Sequence, residues 1–590
     1  MLLQQVLNQV ASAIEKKEFK SARRLLQSLE KKYSDDPYFL WTTAIYEQSK
    51  GSDKKNVLFL LEKAYNRGLK DLNFLRQYGV LLLEFNVYAE ACKVFGEIVE
   101  IKPDDVEAFI YIAHIFSKTG NPISTINTLK IAAKINPAHP AIPTIYCGIA
   151  EALMISGYQE ESVETYKKAF ELDDKNIYFA SNYLLQLNYM DMSRKEYYLL
   201  CQKHRTLWEN KILSDRPSFP QTEKIKIGFL SGDFYYHPVS FFTRALFENY
   251  DKNRFELHIF SNLEKKKYDE ITKRFIEKAD KWHDISKADL QGRAGVIKKE
   301  GISVLIDLTG HTNNSEKAVS VFGCRPAPVQ VSYCGYPNTT GLKSIDYRIT
   351  DRICEPDDAQ DYHSEKLFAI DDCFLCYQPY NEEIPDCSFK NPHGRPIVFG
   401  SFNNLSKVTV RTIKLWCDVV NAVPNSKIAL KYKYFNDPKL REITIARFVE
   451  NGLSADKIII FDFNFAIKEH YAQYNKIDIA LDTFPYNGTT TTCEALYMGV
   501  PVITILGDRH VSRVSASLLS AVGLGELVAE DEKEFVKIAA DLAINTQKLA
   551  EIKRNLREKM QNSPLMDKKS FVQKWQNAIL DMINEVKSEK

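Results

Sequence analysis

The stretch KIDIALDTFPYNGTTTTCEALYMGVPV, residues 476–502, constrains the fold of this chain more than any other. Residues 477–481 are apolar except for Asp478, which is typical of a strand buried on both faces of a parallel sheet. An Asn-Gly turn and four threonines follow, and the residues from about Cys493 to Met498 favour a helix. With a second apolar run from Pro501, the pattern predicts a strand, a polar loop, a helix and another strand.

The threonine loop of this unit is a candidate phosphate site. In open α/β sheets, ligands lie beyond the carboxyl ends of the strands, and helix N-termini bind anions. The loop offers backbone N–H groups, hydroxyls and a glycine, but it contains no lysine and does not match the Walker pattern. A balancing cation must therefore come from elsewhere in the chain. The alternative is a threonine-rich helix cap in an ordinary α/β domain.

Repeats of 34 residues characterise the N-terminal part of the chain. Residues 71–104 and 105–138 align, with Pro103 and Pro137 at the same position and a small residue at the same point of the first helix. This period, together with the small residue and the proline, is typical of tetratricopeptide repeats. We predict a helical arm over residues 1–215 whose groove holds acceptor proteins or peptides. The alternative is a purely structural arm or a dimerisation platform.

Residues 222–378 alternate apolar runs with polar loops and form a predicted α/β unit. Strands are expected at 224–231, 255–260 and 302–308. His237 follows the first of these strands and His311 follows the third, so both are expected at the sheet edge where a cleft opens. Either imidazole could act as a base or as a hydrogen-bond donor to an acceptor hydroxyl. A histidine in a loop is, however, more often only a polar residue.

Residues 395–566 repeat this organisation. Lys407 lies where the first strand of the unit passes into a helix, on the same edge as the threonine loop, and it can supply the missing positive charge. His470 lies on a helix just before residues 477–481 and could contact a nucleotide, although a polar residue on a solvated face is the alternative. Residues 567–590 predict a single long helix.

The predicted fold class is therefore α + α/β. Two doubly wound units joined by a linker, with phosphate chemistry in the second, are typical of two-lobed nucleotide-sugar transferases. We therefore predict a tetratricopeptide solenoid followed by a glycosyltransferase of GT-B type with two Rossmann-like parallel sheets. The chain has no Asp-x-Asp motif of the kind that holds a metal-bound diphosphate in other transferases. Leaving-group charge would then fall to Lys407 and a helix N-terminus, so we expect no metal and no cofactor besides the nucleotide sugar.

Composition argues against several functional classes. The net charge is +1, from 78 basic and 77 acidic residues, which argues against a general electrostatic nucleic-acid binder. No apolar run reaches the ~18 residues of a membrane span, and the N-terminus is typical of an amphipathic helix and not of a signal peptide. The 11 cysteines show no paired framework, and the Cys373–Cys376 pair has no second pair at zinc spacing. A cytoplasmic location with reduced thiols is expected.

Several long motifs, in order, resemble the O-linked N-acetylglucosamine transferase and SPINDLY family. They are SGDFYYHPVS, RPAPVQVSYCGYPNTTGLKSIDYRITD, GSFNNLSKVT, AVPNS and LDTFPYNGTTTTCEALYMGVP. The resemblance covers residues 224 to about 545 and, through the repeats, most of the arm. It implies an inverting, metal-independent transfer of a sugar from a nucleotide sugar to Ser or Thr hydroxyls of proteins.

Two other interpretations stay open at this stage. One keeps the fold but uses another donor or a non-protein acceptor. The other is an inactive tetratricopeptide adaptor, which predicts damage at Lys407 or in the threonine loop, and both are intact. A homo-oligomer also stays open.

The resemblance assigns residues as well as an activity. Lys407 matches the family's lysine on the donor diphosphate, and His237 matches its active-site histidine, so both are expected to be catalytic. The resemblance implies nucleotide-sugar binding by Asn404, Lys407, His470, Gly488, Thr489, Thr490, Thr491 and Glu494.

Within that set, Thr490 and Thr491 match the pair that binds phosphate, and His470 matches a nucleotide-contacting histidine. Glu494 takes the place of an aspartate that holds the ribose. These matches imply a nucleotide whose phosphates lie at the threonine loop.

Three positions depart from the N-acetylglucosamine enzymes. Asn404 stands where they have glutamine, Thr489 where they have histidine, and Gln473 where they have arginine. Other stretches look closer to the SPINDLY branch, whose plant members use GDP-fucose. UDP-N-acetylglucosamine is the donor expected from the family as a whole, and GDP-fucose is the alternative.

Overall fold

The computed structural model describes residues 2–209, 215–312, 315–379, 384–387, 395–464 and 466–589. Residues 380–383 and 388–394 of the predicted linker between the α/β units lie outside these ranges. The chain divides after Ala152 into two compact units, each of which has its own core. Among the described residues, no helix is long and apolar enough to cross a membrane.

The first unit is built from helix pairs. Its helices are α1 (Leu2–Glu15), α2 (Phe19–Tyr33), α3 (Pro37–Ser49), α4 (Lys54–Asn66), α5 (Leu72–Glu84), α6 (Tyr88–Ile101), α7 (Val106–Lys118), α8 (Pro122–Ile135) and α9 (Ile142–Ile155), which continues across the division. The two repeats read from the sequence correspond to the pairs α5–α6 and α7–α8. The predicted repeat solenoid is confirmed here.

Small residues and caps explain why these helices pair. A Cβ at Gly79 would lie 2.8 Å from the Phe95 ring, so only glycine lets α5 and α6 approach this closely. Asp71 and Asp105 are the N-cap residues directly before α5 and α7, and their carboxylates accept hydrogen bonds from backbone N–H groups of the first turn. The repeat period is therefore fixed by packing within each pair and by a cap at its start.

The second unit begins with four more helices. They are α10 (Gln159–Leu172), α11 (Ile177–Gln186), α12 (Arg194–His204) and α13 (Thr206–Glu209). The division after Ala152 therefore assigns the last helices of the predicted arm to the unit that contains both sheets.

The first sheet is entirely parallel and follows the order β3-β2-β1-β4-β5-β6-β7. Its strands are β1 (Ile225–Ser231), β2 (Phe255–Ser261), β3 (Lys281–Asp284), β4 (Val304–Asp307), β5 (Val329–Ser332), β6 (Tyr347–Thr350) and β7 (Lys366–Ala369). Its helices are α14 (Pro238–Asn249), α15 (Glu270–Lys278), α16 (Leu290–Glu300) and α17 (Ser315–Gly323). The edge strands β3 and β7 escape sequence-based detection because they are short and half-exposed.

The second sheet is also parallel, with the order β10-β9-β8-β11-β12-β13. Its strands are β8 (Ile397–Ser401), β9 (Ser426–Lys431), β10 (Ile458–Phe461), β11 (Ile479–Leu481), β12 (Val502–Ile505) and β13 (Val528–Ala529). In both sheets the first strand is an interior strand, with the next two strands on one side of it and the later strands on the other, as in doubly wound nucleotide-binding folds. The predicted pair of Rossmann-like sheets is confirmed.

The remaining helices cover the second sheet or return to the first. They are α18 (Val410–Ala422), α19 (Pro438–Glu450), α20 (Ile467–Tyr474), α21 (Thr490–Tyr497), α22 (Val514–Ala521), α23 (Glu532–Ile544), α24 (Thr546–Gln561) and α25 (Lys568–Ser588). Helix α21 begins at Thr490, three residues before the predicted Cys493. Three of the four threonines, Thr490, Thr491 and Thr492, thus belong to its first turn.

The terminal helix α25 packs on the first sheet although it follows the second in sequence. The Trp575 ring stacks on Phe229 of β1 with centroids 5.9 Å apart, and it meets Tyr333 edge-on at 6.3 Å. The Gln576 side-chain carbonyl accepts a hydrogen bond of 2.8 Å from the Asp251 N–H. Helix α25, which follows the second sheet in sequence, thus belongs to the packing of the first lobe.

Candidate active site

A cleft of about 400 Å³ lies between the two lobes, at the carboxyl ends of their central strands. Six of the nine predicted site residues line it: His237, Asn404, Lys407, Thr489, Thr490 and Thr491. The first lobe contributes the loop after β1, and the second lobe contributes the loops after β8 and β11. Ligand binding at this edge is what the strand order predicts.

Lys407 ends a short 3₁₀ turn directly after β8. Its Nζ donates a 2.7 Å hydrogen bond to the Asn487 carbonyl and lies 4.1 Å from the centre of the Tyr486 ring. Burial lowers the pKa of Lys407 to about 8, against the opposing effect of Asp482. An anion bound in the cleft would restore the charge stabilisation that burial removes.

The threonine loop places the start of α21 in the cleft. Thr489 precedes the helix, so the N–H groups of its first turn point toward the same space as Lys407. The Thr491 hydroxyl donates a 2.7 Å hydrogen bond to the Asn403 side-chain oxygen. The buried Thr490 hydroxyl has no hydrogen-bond partner within the described part of the chain. A phosphate oxygen is the kind of group that would complete this arrangement.

Asp482 and Gly488 hold this loop in shape. The Asp482 carboxylate accepts hydrogen bonds from the Gly488 N–H at 2.7 Å and from the Thr504 hydroxyl at 2.7 Å. A Cβ at Gly488 would lie 2.5 Å from the Thr492 hydroxyl oxygen and 2.8 Å from that of Thr491. Gly488 therefore stands behind the cleft lining and sets the position of the threonines.

His470 and Glu494 form a second polar cluster outside the cleft lining. His470 Nε2 lies 3.0 Å from a Glu494 oxygen, and the Tyr474 hydroxyl donates to the same oxygen at 3.0 Å. His470 Nδ1 lies 2.5 Å from Lys431 Nζ, at the end of β9. Burial lowers the pKa of Lys431 to about 8, with Glu494 opposing. Tyr474 also reaches the Thr491 carbonyl at 3.4 Å, so the cluster adjoins the threonine loop.

His237 caps helix α14 at the opposite wall of the cleft. Its Nδ1 accepts a 3.4 Å hydrogen bond from the Val239 N–H, while Nε2 lies 3.9 Å from an Asp233 oxygen. Burial raises the pKa of Asp233, with His237 and Ser231 opposing. Because Nδ1 accepts a hydrogen bond, Nε2 is the nitrogen that carries the proton of the neutral ring.

His311 does not line the cleft. Its ring is fully buried, with Nδ1 3.2 Å from the Ser181 hydroxyl and Nε2 2.8 Å from the Thr340 carbonyl. Burial lowers its pKa to about 4. The histidine therefore joins α11 to the first sheet, and the chemical role considered for it from its strand-end position is not supported.

One cluster of possible metal ligands lies elsewhere, on the first sheet. His258, His283 and Glu300 bring ligand atoms within 4.8 Å of one another. Lys281 Nζ lies 3.0 Å from the Glu300 carboxylate, which therefore already has a cation beside it. None of these residues lines the cleft.

Comparison with known proteins identifies the family. Residues 185–380 and 388–575 match the family model described as Glycosyl transferase family 41. This chain belongs to glycosyl transferase family 41. A further match, over residues 143–176, is to a tetratricopeptide repeat. The resemblance noted in the sequence is confirmed.

Several relatives of this family 41 chain bear SPINDLY names. A protein of Oryza sativa subsp. japonica named "Probable UDP-N-acetylglucosamine--peptide N-acetylglucosaminyltransferase SPINDLY" is 38% identical over 437 residues, or 71% of this chain and 46% of the relative. Its namesake in Arabidopsis thaliana is 37% identical over 420 residues, or 68% of this chain and 44% of the relative. The chain thus spans less than half the length of these curated relatives.

A solved structure gives a more complete match. A lysine-to-methionine variant of the Thermobaculum terrenum O-GlcNAc transferase superposes with a TM-score of 0.78 at 25% sequence identity. The match covers 87% of this chain and 98% of the other. The two-lobed architecture with helices before it is therefore shared with that protein.

Sequence reasoning missed other residues that line the cleft of this family 41 chain. They are residues such as Asn403, Tyr486 and His510. Each follows the end of a strand of the second sheet, namely β8, β11 and β12. His237 was selected because residues that follow the carboxyl ends of parallel strands line the ligand cleft, and the same criterion would have selected these three residues.

Gln159 is a further residue that the sequence did not reveal. From the start of α10, its side-chain N–H groups donate to the carbonyls of Leu405 at 2.9 Å, Ser406 at 3.0 Å and Val408 at 3.1 Å. Helix α10 therefore braces the turn that carries Lys407. No sequence signal links residues so far apart in the chain.

Proposed function

We propose that this family 41 chain is an inverting glycosyltransferase that moves a sugar from a nucleotide sugar to Ser or Thr hydroxyls of proteins. One observation carries the proposal. The Lys407 ammonium and the N-terminus of α21 face the same cleft, between two doubly wound sheets. Two such positive elements in one cleft suit a diphosphate leaving group.

In this proposal the acceptor hydroxyl attacks the anomeric carbon from the face opposite the nucleotide. The bond between that carbon and the phosphate oxygen breaks, and the electron pair stays on the diphosphate. Lys407 and the N–H groups near Thr490 and Thr491 stabilise that charge as it develops. His237, on the other wall, donates from Nε2 and positions the acceptor or the sugar.

We further propose that the reaction needs no metal. The chain lacks an Asp-x-Asp motif, and the burial of Lys407 beside the threonine loop supports a purely electrostatic alternative. Transfer should then persist in excess EDTA, whereas its loss on chelation and its recovery with Mg²⁺ or Mn²⁺ would contradict this.

UDP-N-acetylglucosamine is the donor that the names of the relatives support. GDP-fucose is the second candidate. It is favoured by Asn404 and Thr489, which line the cleft and replace the glutamine and histidine of the N-acetylglucosamine enzymes.

Proteins are the proposed acceptors, and the repeat arm is their proposed docking region. A polar groove on the arm, lined by residues of α3, α5 and α7, supports this. All 11 cysteines are free thiols, which supports the proposed cytoplasmic location.

The test presents both donors to the wild type and to Lys407→Ala. Thermal shift reports binding, since a ligand of the native state raises the melting temperature by mass action. Release of nucleoside diphosphate reports turnover, and mass spectrometry of a protein pool reports the transferred sugar. The wild type should modify protein with one donor, and Lys407→Ala should not. A folded wild type that turns over neither donor would overturn the proposal.

A further inference from the structure

A second histidine, His510, lines the cleft from the turn after β12. The backbone connects it to the candidate phosphate site. The Asn487 N–H donates to the Val511 carbonyl at 3.0 Å, and the Asn487 carbonyl accepts from Lys407 at 2.7 Å. His510 therefore lies beside the residue that anchors the Lys407 ammonium.

A buried carboxylate stands behind His510. Glu355 has a side chain only 1% exposed, and its Oε1 lies 3.0 Å from His510 Nδ1 and 3.2 Å from His363 Nε2. Arg348 Nε lies 3.8 Å from the same oxygen. The Phe374 ring meets the His510 ring edge-on at 5.2 Å and restricts its orientation.

This arrangement selects a tautomer. Nδ1 of His510 is buried 3.0 Å from the Glu355 oxygen, in a contact that is not aligned as a hydrogen bond. The negative charge of the carboxylate still favours the proton of the neutral ring on this nearer nitrogen, so Nε2 keeps a lone pair. His237 has the opposite arrangement, because its Nδ1 accepts the Val239 N–H and its Nε2 is protonated. In the neutral state His510 is prepared to accept a proton, and His237 is prepared to donate one.

We propose that His510 is the catalytic base of the transfer and that Glu355 is its positioning residue. The inference rests on the proposed function. His510 Nε2 takes the proton of the acceptor hydroxyl while the hydroxyl oxygen bonds to the anomeric carbon. The bond from that carbon to phosphate breaks, its electron pair leaves on the diphosphate beside Lys407, and the imidazolium then returns its proton to solvent.

The charges around His510 and Glu355 are consistent with a neutral base and a charged positioning residue. Burial lowers the pKa of His510, as does Arg348, while Glu355 and Asp351 oppose them, so the ring is neutral at pH 7. Burial alone would raise the pKa of Glu355, but His363 and His510 hold it well below its usual range. The carboxylate thus stays charged and can stabilise the imidazolium that forms.

The test measures kcat, KM and nucleoside diphosphate affinity for wild type, His510→Asn and Glu355→Gln, with the donor that the wild type uses. General-base loss should lower kcat of His510→Asn about 10²–10⁴-fold, with diphosphate affinity within about twofold of wild type. His283→Asn is the matched control. Its ring has a pKa also lowered by burial, but it does not line the cleft, and kcat should not change.

The pH profile separates a positioning role from a structural one. Loss of the Glu355 charge lowers the pKa of His510, so the acidic limb of kcat should move to lower pH in Glu355→Gln. A limb that stays in place overturns the inference, even if His510→Asn proves too unstable to assay.

Wild-type kcat in folded His510→Asn overturns the inference as well and leaves the proposed function standing. A wild type without transferase activity removes the proposed function, and the inference falls with it.

Discussion

The two lobes of the second unit share one strand order but bring different chemistry to the cleft between them. After its first and fourth strands, the C-terminal lobe carries Lys407 and the N-terminus of α21. At the equivalent places the N-terminal lobe carries His237, which lines the cleft, and His311, which is buried. Topology therefore selects the sheet edge, while the residues of each loop decide whether a position binds an anion, transfers a proton or only packs.

The comparison also shows how the lobes divide the proposed work. Fixed positive elements gather on the C-terminal lobe, and the N-terminal lobe supplies Asp233, His237 and the buried Glu355. His510 belongs to the C-terminal lobe by sequence, but its carboxylate partner comes from the other lobe. The base that we infer is therefore assembled only when both lobes are in place.

Removing Lys407 is expected to give the largest effect, because it deletes the main cation of the C-terminal lobe. Lys407→Ala should lower kcat about 10³-fold, since a diphosphate leaves without its stabilising charge. Steady-state kinetics and calorimetric titration of UDP and GDP check this. Lys414→Ala, an exposed lysine on α18, is the control and should match wild type. If Lys407→Ala turned over the donor as fast as wild type, Lys407 of the C-terminal lobe would not be the group that stabilises the leaving diphosphate.

Many of the strands and cleft loops of the two lobes could be predicted from the sequence. Buried parallel strands are continuous apolar runs, so β1, β2 and β11 were located closely, and the loop after each of them contributes residues to the cleft lining. The same rule could not separate His237 from His311. Their difference depends on whether Ser181 and Thr340, distant in sequence, cover the ring.

Long-range contacts set the other limits of sequence reasoning. Gln159 reaches the Lys407 turn across more than two hundred residues, and Glu355 reaches His510 from the other lobe. Neither residue has a motif of its own. Only the folded chain brings each one to the site.

Gly488→Ala tests whether the shape of the threonine loop matters as much as the charge beside it. The new methyl group would lie 2.5 Å from the Thr492 hydroxyl oxygen, so the threonines must shift. Nucleoside diphosphate affinity should fall by about tenfold or more, given the cost of a displaced anion site. In the control, Gly525→Ala, the added Cβ meets no atom within 4 Å. Equal affinities in the two variants would contradict a shape requirement.

Gln159→Ala tests whether the position of Lys407 in the C-terminal lobe depends on helix α10, which precedes both sheets. Three carbonyls lose a donor, which loosens the turn that ends in Lys407. At about 1 kcal/mol net per hydrogen bond, with partial replacement by water, kcat should fall about five- to tenfold. Glu160→Ala, an exposed change on the same helix, is the control. If Gln159→Ala kept wild-type kcat, the brace would be irrelevant to catalysis.

The smallest expected effect is a pH dependence of nucleoside diphosphate affinity, which reports the protonation of Lys407 in the C-terminal lobe. Lys407 has a pKa of about 8 in the unliganded cleft, so its cationic form dominates below pH 8 and is lost as the pH rises through that value. UDP or GDP affinity should therefore be about twofold weaker at pH 8 than at pH 7. Calorimetry across pH 6.5–9 measures it.

Variants then identify which lysine is responsible. Lys431 has a similarly lowered pKa, so its protonation could add a second dependence beside His470 and Glu494. Lys407→Ala should abolish the dependence if the cleft ammonium alone binds the diphosphate. If the pH dependence of nucleoside diphosphate affinity survives in Lys407→Ala but disappears in Lys431→Ala, then Lys431 and the second polar cluster bind the diphosphate. The nucleotide would then lie over the ends of β9 and β10 and not over the threonine loop.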